Sequence, residues 1–145
     1  NYRMSNVCAG IGRGQMEVLP ERVAKRRANH HFYSELFKDF PGFTLHTEPN
    51  DDYFSNHWLS VVLVDSQSGI TPEAIRLAAQ KENIETRPIW KPMHLQPVFQ
   101  NSLYFGSDFA AKCFETGLCL PSGSNLSEND FERIHHLFTA IFSLS

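Results

Sequence analysis

The sequence has no long apolar run and few cysteines, and both absences exclude classes of protein. No stretch approaches the ~20 apolar residues that a membrane-spanning helix requires. The first residues, Asn-Tyr-Arg-Met-Ser-Asn, lack the apolar core of a signal peptide. We therefore expect a cytoplasmic protein without a membrane partner. Because the net charge is only −3, nothing in the composition indicates binding to nucleic acid.

The cysteines and histidines do not indicate a disulfide scaffold or a metal site. The three cysteines are an odd number without a CxxC pair, and their apolar or small neighbours predict buried thiols at Cys8, Cys113 and Cys119. Two pairs of histidines are adjacent, at 30–31 and 135–136, so the rings of each pair point in different directions on a helix. No carboxylate or cysteine at ligand spacing completes a site, and we expect no bound metal.

What is present is a chain of 145 residues, enough for one core and one modest domain. Its 41% hydrophobic and 20% charged residues are ordinary for a soluble globular protein. Since the sequence starts without Met, we expect it to be part of a larger protein. Some of its twelve Phe, four Tyr and two Trp would then be exposed where the rest of that protein is missing.

One segment, residues 87–99 with the sequence RPIWKPMHLQPVF, combines rigidity with ligand-binding side chains. Its three prolines within ten positions forbid a regular helix and fix the backbone, so that side chains are held in place before a ligand arrives. The segment can serve as a binding loop, or as a rigid connector whose Trp and Met fill the core while its charged residues face water. Composition alone leaves both open. The side chains that suit ligand binding are Arg87, Trp90, Lys91, His94 and Gln96.

The first forty residues predict helix. Ser5 is a suitable N-cap for a helix over 5–18, and Pro20 suits the first turn of a second helix that reaches residue 38. Each glycine costs roughly 1 kcal/mol inside a helix, so their number in the first helix suggests that another backbone or a ligand lies close. The basic run 25–27 is interpreted as a solvated face paired with acidic residues at i,i+4. The glycines are Gly10, Gly12 and Gly14, and the acidic residues are Glu17 and Glu21.

Beyond Pro41-Gly42 the pattern alternates between strands and helices. The apolar, β-branched run 57–65 predicts a central strand buried on both faces. Thr71 followed by proline is typical of a helix start, and Ser127 with Asp130 resembles the capping box of a last helix. The whole pattern predicts an α/β domain with helices packed on a short sheet. Its further elements are a helix to about 83, a short strand 84–87, a helix 108–116 that stops at Gly117, a strand 118–120, and a last helix whose apolar face comprises Phe131, Ile134, Leu137, Phe138, Ile141 and Phe142.

Three segments resemble sequence blocks of one enzyme family. The first, NYRMSN at 1–6, continues with AGIG at 9–12 and QME at 15–17; the second is the Pro-rich segment 87–99; the third is GLCLPSGS at 117–124. In this order and spacing they resemble the C-terminal portion of the DegT/DnrJ/StrS family of pyridoxal-phosphate sugar aminotransferases. The resemblance reaches from residue 1 nearly to the end of the chain.

This resemblance implies the small C-terminal domain of a fold-type-I pyridoxal phosphate enzyme, which is a two-fold homodimer. Residues 1–40 would be a helical arm linking to an N-terminal cofactor-binding domain outside this chain, and residues 41–145 would be the α/β small domain. The implied reaction moves an amino group from glutamate to the keto carbon of a nucleotide-linked 4-keto-6-deoxy sugar, for surface polysaccharide or glycan biosynthesis. A minority of such proteins are dehydratases. The sequence also allows a non-catalytic sugar-nucleotide-binding or dimerisation module.

The resemblance also implies where the cofactor, pyridoxal phosphate, is held. None of the five lysines stands in a context that matches the cofactor lysine. That lysine is therefore expected in the missing part, and this chain alone is expected to be inactive and to hold no catalytic residue. Asn1, and after it Arg3, would bind the cofactor phosphate of the neighbouring subunit.

The implied substrate-binding residues lie in the Pro-rich segment. His94 would hydrogen-bond a sugar hydroxyl or the 4-keto oxygen, and Gln96 is a weaker candidate for hydrogen bonding. Lys91 and Arg87 would neutralise the diphosphate of a nucleotide sugar, although Arg87 can equally form a structural ion pair. Trp90 would stack on a sugar or base, or belong to the core.

Overall fold

The computed structural model describes residues 3–143. Its first element is one long helix, α1 (Asn6–Leu36), and the Ser5 side chain accepts a hydrogen bond from the Cys8 backbone N–H at 3.2 Å. The predicted N-cap is therefore confirmed, whereas the predicted second helix beginning at Pro20 is wrong. Pro20 lies inside α1. Because it is exposed, the carbonyl that loses its N–H partner can bond water instead.

The glycines of α1 do not mark a close approach among the described residues. A Cβ placed on Gly10, Gly12 or Gly14 has nothing within 4 Å. The first half of α1 therefore packs on nothing in this part of the chain, and only its second half enters the core. Although α1 is 31 residues long, no helix of the described residues is both long and apolar enough to cross a membrane. The exposed apolar side chains near these glycines are Met4, Val7, Ile11, Met16 and Leu19.

Four strands and three helices follow α1 in the described residues. In chain order they are β1 (Phe43–Leu45), β2 (Ser60–Val64), α2 (Pro72–Lys81), β3 (Arg87–Pro88), α3 (Phe109–Thr116), β4 (Gly117–Leu120) and α4 (Glu128–Ser143). The strands form one antiparallel sheet in the order β1-β2-β4-β3. This arrangement confirms the predicted α/β fold. The sequence pattern does not predict β1, and β3 starts later than the predicted strand 84–87.

Strand β2 lies in the middle of the sheet. Its Val62 is opposite Leu45 of β1 on one side and Leu118 of β4 on the other. Burial alternates along the strand, since Ser60, Val62 and Val64 are buried while the residues between them are half-buried. The predicted central position is confirmed. Full burial on both faces is wrong, because this antiparallel sheet carries the core mainly on one face.

The core lies between the sheet and the helices, and aromatic rings are prominent in it. Phe37, directly after α1, meets Phe138 of α4 edge to face, with ring centroids 5.1 Å apart. Phe138 is almost fully buried and lies on the predicted apolar face of α4, which is confirmed. The predicted capping box of α4 is confirmed as well. Asp130 N–H donates to Ser127 Oγ at 3.3 Å, and Ser127 N–H donates to Asp130 Oδ2 at 2.9 Å.

Helix α3 ends at Gly117 as predicted, but glycine is needed there because a side chain would have no room. Its φ of −100° and ψ of 145° are extended and need no glycine, and β4 begins at this residue. A Cβ here would lie 1.9 Å from Ile89 Cδ1 and 2.6 Å from the Cys113 carbonyl oxygen. Any side chain at this position would therefore displace its neighbours.

The three cysteines differ in burial. Cys119 on β4 is buried, and burial raises the pKa of its thiol. Cys113 is half-buried, and Cys8 is exposed. The predicted burial is therefore wrong for Cys8, because it lies on the half of α1 that packs on nothing in the described part of the chain.

Candidate functional site

The Pro-rich segment leaves the sheet at its edge. Because β3 is an edge strand, the missing N–H of Pro88 costs little there. Beyond it the backbone forms two short 3-10 turns, Met93–Leu95 and Pro97–Phe99. The Gln96 side chain donates to the Lys91 carbonyl oxygen at 3.2 Å. As the prolines predict, the segment consists of short turns and extended backbone.

His94 is positioned by an aromatic neighbour. Its ring stacks on the ring of Tyr104, with centroids 3.9 Å apart. Tyr104 is fixed in turn, since its hydroxyl donates to the Ser107 carbonyl oxygen at 2.5 Å. Gly106 beneath it has a φ of 143°, which favours glycine. Within the part of the chain that the structure describes, neither ring nitrogen of His94 has a hydrogen-bond partner, so both are available to a ligand.

Three of the other four candidate residues, Arg87, Trp90 and Lys91, are exposed, whereas Gln96 is half-buried. Trp90 is 66% exposed and Met93 is 60% exposed, which argues against the interpretation in which both fill the core. Lys91 is exposed. Arg87 is exposed too, and its Nε donates to Glu85 Oε1 at 2.7 Å. This contact agrees with the structural ion pair that the sequence left open for Arg87.

Two tryptophans stand between two cavities. The rings of Trp58 and Trp90 lie 5.7 Å apart, centroid to centroid. Both line a cavity of about 720 Å³ between the end of β4 and the start of α4, and both line another of about 500 Å³ beside the segment 46–58. Arg87 lines the larger cavity with Trp90. The other three candidate residues of the Pro-rich segment line neither cavity, so the five do not lie together in either of them.

Two arginines of the basic run fasten the segment 46–58 to α1. Arg26 Nη1 donates to the Trp58 carbonyl oxygen at 2.5 Å. Arg27 Nη1 donates to Glu48 Oε1 at 2.7 Å. The predicted solvated face is therefore wrong for these two residues, because the helix presents them to a segment that folds back over it.

Two buried histidines complete this junction. The rings of His30 and His57 stack with centroids 3.7 Å apart, and they are only 7% and 6% exposed. His57 Nε2 lies 3.2 Å from Glu48 Oε2, and His30 Nε2 lies 2.9 Å from the His46 carbonyl oxygen. Burial lowers the pKa of His57, and His30 acts in the same direction. The hydrogen bond from Arg27 lowers the pKa of the Glu48 carboxyl to about 2.

Helical spacing is the signal that could have located this junction. Arg26, His30 and Tyr33 recur at i, i+4 and i+7, the spacing of one helix face, and Tyr33 is fully buried. A basic residue on a face that also carries a buried tyrosine is a candidate for pairing across a packing surface. No pattern in the sequence shows that the partner is the segment 46–58.

The block GLCLPSGS at 117–124 ties two strands and a helix together. Ser122 Oγ accepts the Ser60 backbone N–H at 2.7 Å and donates to a carbonyl oxygen of the block at 2.8 Å. From α1, the side chains of Tyr33 and Asn29 donate to two further carbonyl oxygens of the block, each at 2.8 Å. Burial raises the pKa of Tyr33, which keeps its hydroxyl a donor. The block therefore has a structural role in this domain.

The described residues do not form a covalent site for pyridoxal phosphate. Such a site needs an enclosed lysine with a reactive amine, whereas all five lysines of the chain are exposed. Lys25 pairs with Glu21 at 2.9 Å, the i,i+4 contact that the sequence predicts. Of the two residues predicted to bind the cofactor phosphate, Arg3 is exposed and Asn1 lies outside the described residues.

Comparison with known proteins places this domain among aminotransferases. The model of the DegT/DnrJ/EryC1/StrS aminotransferase family matches residues 1–139. The chain is 39% identical over 146 residues to EpsN of Bacillus subtilis (strain 168), which is named for a pyridoxal phosphate-dependent aminotransferase activity. It is 28% identical over 136 residues to a GDP-perosamine synthase of Caulobacter vibrioides. These matches cover 98% and 92% of this chain, but only 37% and 36% of the two relatives.

The fold is also that of a solved structure, Helicobacter pylori PseC, an aminotransferase involved in the biosynthesis of pseudoaminic acid. The two superpose with a TM-score of 0.85 at 23% identity, over 100% of this chain and 39% of PseC. The chain thus spans well under half the length of these relatives. Because the family model covers all but the last six residues, this chain belongs to the DegT/DnrJ/EryC1/StrS aminotransferase family.

Proposed function

We propose that the chain is the C-terminal portion of a pyridoxal phosphate-dependent aminotransferase that acts on a nucleotide-linked 4-keto-6-deoxy sugar. The amino group would come from glutamate, and the product would enter a surface polysaccharide or glycan. The observation that carries the proposal is the family match over residues 1–139. Two relatives are named for nucleotide sugars, the GDP-perosamine synthase and a UDP-4-amino-4,6-dideoxy-N-acetyl-beta-L-altrosamine transaminase of Helicobacter pylori, 26% identical over 142 residues.

In this proposal the chain divides into an arm and a small domain. Residues 1–40 link to an N-terminal cofactor-binding domain, and residues 41–145 form the α/β small domain. The exposed apolar side chains on the first half of α1 support this division, since such a face is normally covered by a further domain or a second copy. In a two-fold homodimer, Asn1 and Arg3 would then reach the cofactor phosphate of the neighbouring subunit.

Pyridoxal phosphate, when bound, supplies the electron sink for the carbon that exchanges its amino group. We expect the cofactor lysine to lie outside this chain, and the chain alone to be inactive. The part that this chain contributes is contact with the sugar through His94. Its ring nitrogens can donate to or accept from a sugar hydroxyl or the 4-keto oxygen. The stack on Tyr104 fixes the ring before the substrate arrives, which reduces the entropy lost on binding.

For the nucleotide diphosphate, Lys91 is a better candidate than Arg87. Lys91 is exposed and has no acidic partner within residues 3–143, whereas the charge of Arg87 is partly neutralised by Glu85. Trp90 presents its exposed ring for stacking on a base or sugar. Gln96 ranks lower, because its amide already donates to the backbone of the same segment.

The test is amino transfer by the complete gene product, with His94→Ala compared with His136→Ala, an exposed histidine on α4. We expect His94→Ala to lower kcat/KM for the nucleotide sugar about tenfold, equivalent to about 1.4 kcal/mol, and to leave the half-reaction with glutamate unchanged. His136→Ala should change neither. Equal losses in both half-reactions would contradict a sugar-binding role for His94. Binding of the nucleotide sugar without any amino transfer by the unmodified protein would favour the non-catalytic module instead.

A further inference from the structure

The junction between α1 and the segment 46–58 holds two buried imidazoles face to face. Because the centroids of His30 and His57 are 3.7 Å apart, a proton on either ring places positive charge against its neighbour where little water can screen it. The backbone of His57 adds strain. Its φ of 43° lies in the left-handed region, which residues other than glycine rarely adopt.

The charged and titratable groups around His57 do not cancel a proton placed on it. From α1, Arg27 and His30 face it, and both are basic. From its own segment, Glu48 faces it at 3.2 Å, but the same carboxylate is already engaged by Arg27. From β4, the thiol of Cys119 lines the adjoining cavity, and burial raises the pKa of that thiol. Arg27 therefore offsets the charge of Glu48, and burial remains the largest influence on a proton at His57.

We propose that His30, His57 and Glu48 form a pH-sensitive latch that holds the segment 46–58, and with it Trp58, against α1. With both imidazoles neutral, the rings stack and the latch is closed. Protonation favours conformations in which His57 reaches water and the two rings separate. The left-handed backbone of His57 can then relax, and the segment loosens from the helix.

The direction of the pH dependence follows from linkage. Burial, aided by His30, lowers the pKa of His57 below its ordinary value of 6.5 while the latch is closed. The open form therefore binds the proton more readily, and acid shifts the equilibrium toward it. The stability of the closed latch is fully present above pH 6.5 and is lost as the pH falls through the lowered pKa.

Trp58 connects the latch to both cavities. It follows His57 directly, its carbonyl oxygen accepts from Arg26, and its ring lies beside that of Trp90. Since both cavities share these two rings, loosening of the segment alters a wall of each. This inference rests on the geometry of α1 and its junction, and it stands whether or not the chain serves an aminotransferase.

Tryptophan fluorescence tests the latch directly. Trp90→Phe leaves Trp58 as the sole tryptophan, because the chain has two. In this background we expect the emission to shift with a midpoint below pH 6.5, over a range in which the far-UV circular dichroism stays constant. His57→Gln should abolish the shift. His30→Gln removes a neighbour that opposes protonation, so it should move the midpoint to higher pH.

The matched control is His31→Gln, which changes the adjacent but exposed histidine of α1 and should leave the transition unaltered. Three outcomes would overturn the latch: no transition in the parent, a transition that persists in His57→Gln, or one that coincides with loss of circular dichroism. A second measurement needs no substitution at the junction. The NMR contact between the rings of His30 and His57 should weaken with the same midpoint as the fluorescence, and a contact that persists through that transition would also overturn the latch.

Discussion

At Gly117 the chain passes from α3 into β4 with no room for a side chain. The methyl group of Gly117→Ala would meet Ile89 Cδ1 at 1.9 Å and the Cys113 carbonyl oxygen at 2.6 Å. We expect the free energy of unfolding to fall by about 1–3 kcal/mol, the usual range for overpacking, as measured by urea denaturation. Gly12→Ala is the matched control, since nothing lies within 4 Å of its Cβ position and alanine favours helix. An unchanged stability in Gly117→Ala would mean that the Pro-rich segment moves aside without cost.

Neighbouring residues of one type also have different roles in this domain. Lys25 makes an exposed pair with Glu21, whereas Arg27, two positions later, holds Glu48 of a distant segment. His31 is exposed, whereas His30 is buried in a ring stack. Because each step along a helix turns by about 100°, adjacent residues face different surroundings. The surroundings, and not the residue type, decide whether a charge is solvated.

At the scale of elements, α1 joins two unlike halves. Its second half contributes Tyr33 and Leu36 to the core, while the first half exposes Val7 and Ile11. A helix of this length is held by packing more than by propensity, so we expect the first half to fray independently of the core. Pro20 lies close to the boundary between the halves, at an exposed position of the helix.

Two helix caps test this difference between the halves. Ser127→Ala should lower the free energy of unfolding by about 1 kcal/mol, because α4 packs into the core and its cap is made by Ser127. Ser5→Ala removes an equivalent cap from α1, yet it should only reduce helix content near its start. Urea denaturation monitored by far-UV circular dichroism distinguishes a loss of stability from a loss of helix content alone. Equal losses of stability would show that α1 unfolds together with the core.

At the scale of the whole molecule, exposed apolar surface is the main feature that disfavours an isolated monomer in water. It comprises the first half of α1 and the stretch after the Pro-rich segment, where Leu103 and Phe105 are 87% and 86% exposed. Exposed apolar side chains in this number favour association. Their exposure also agrees with a domain that is normally covered by other parts of a larger assembly, as the proposed function requires.

We expect the isolated chain to self-associate, and Val7→Glu combined with Ile11→Glu to reduce this without lowering the free energy of unfolding. Both side chains are largely exposed, at 72% and 62%, so their replacement removes apolar surface and leaves the core intact. Sedimentation velocity measures the change. Gln15→Glu with Gln67→Glu is the control, because it adds the same charge at exposed polar positions. If both double variants associate less than the parent and to the same extent, charge governs the association. If both associate as strongly as the parent, another surface governs it.

The sequence by itself determined the features that depend on near neighbours. The caps at Ser5 and Thr71 and the capping box of α4 were predicted and are confirmed, because each is a contact across three residues. The apolar face of α4 follows from helical periodicity alone. The three sequence blocks also identified the family, since their order and spacing are properties of the chain and not of its folding.

Only the tertiary structure decided which distant segments meet. Arg27 and Glu48 are 21 residues apart, and Ser60 and Ser122 are 62 apart; no local pattern encodes such pairs. In the candidate site, the sequence located the Pro-rich segment but could not orient its side chains. Turns fixed by proline lack the regular side-chain periodicity of helices and strands, so the sequence does not predict which way each side chain points. The stack of His94 on Tyr104, and the position of His94 outside the two cavities that Trp90 lines, therefore emerged only from the fold.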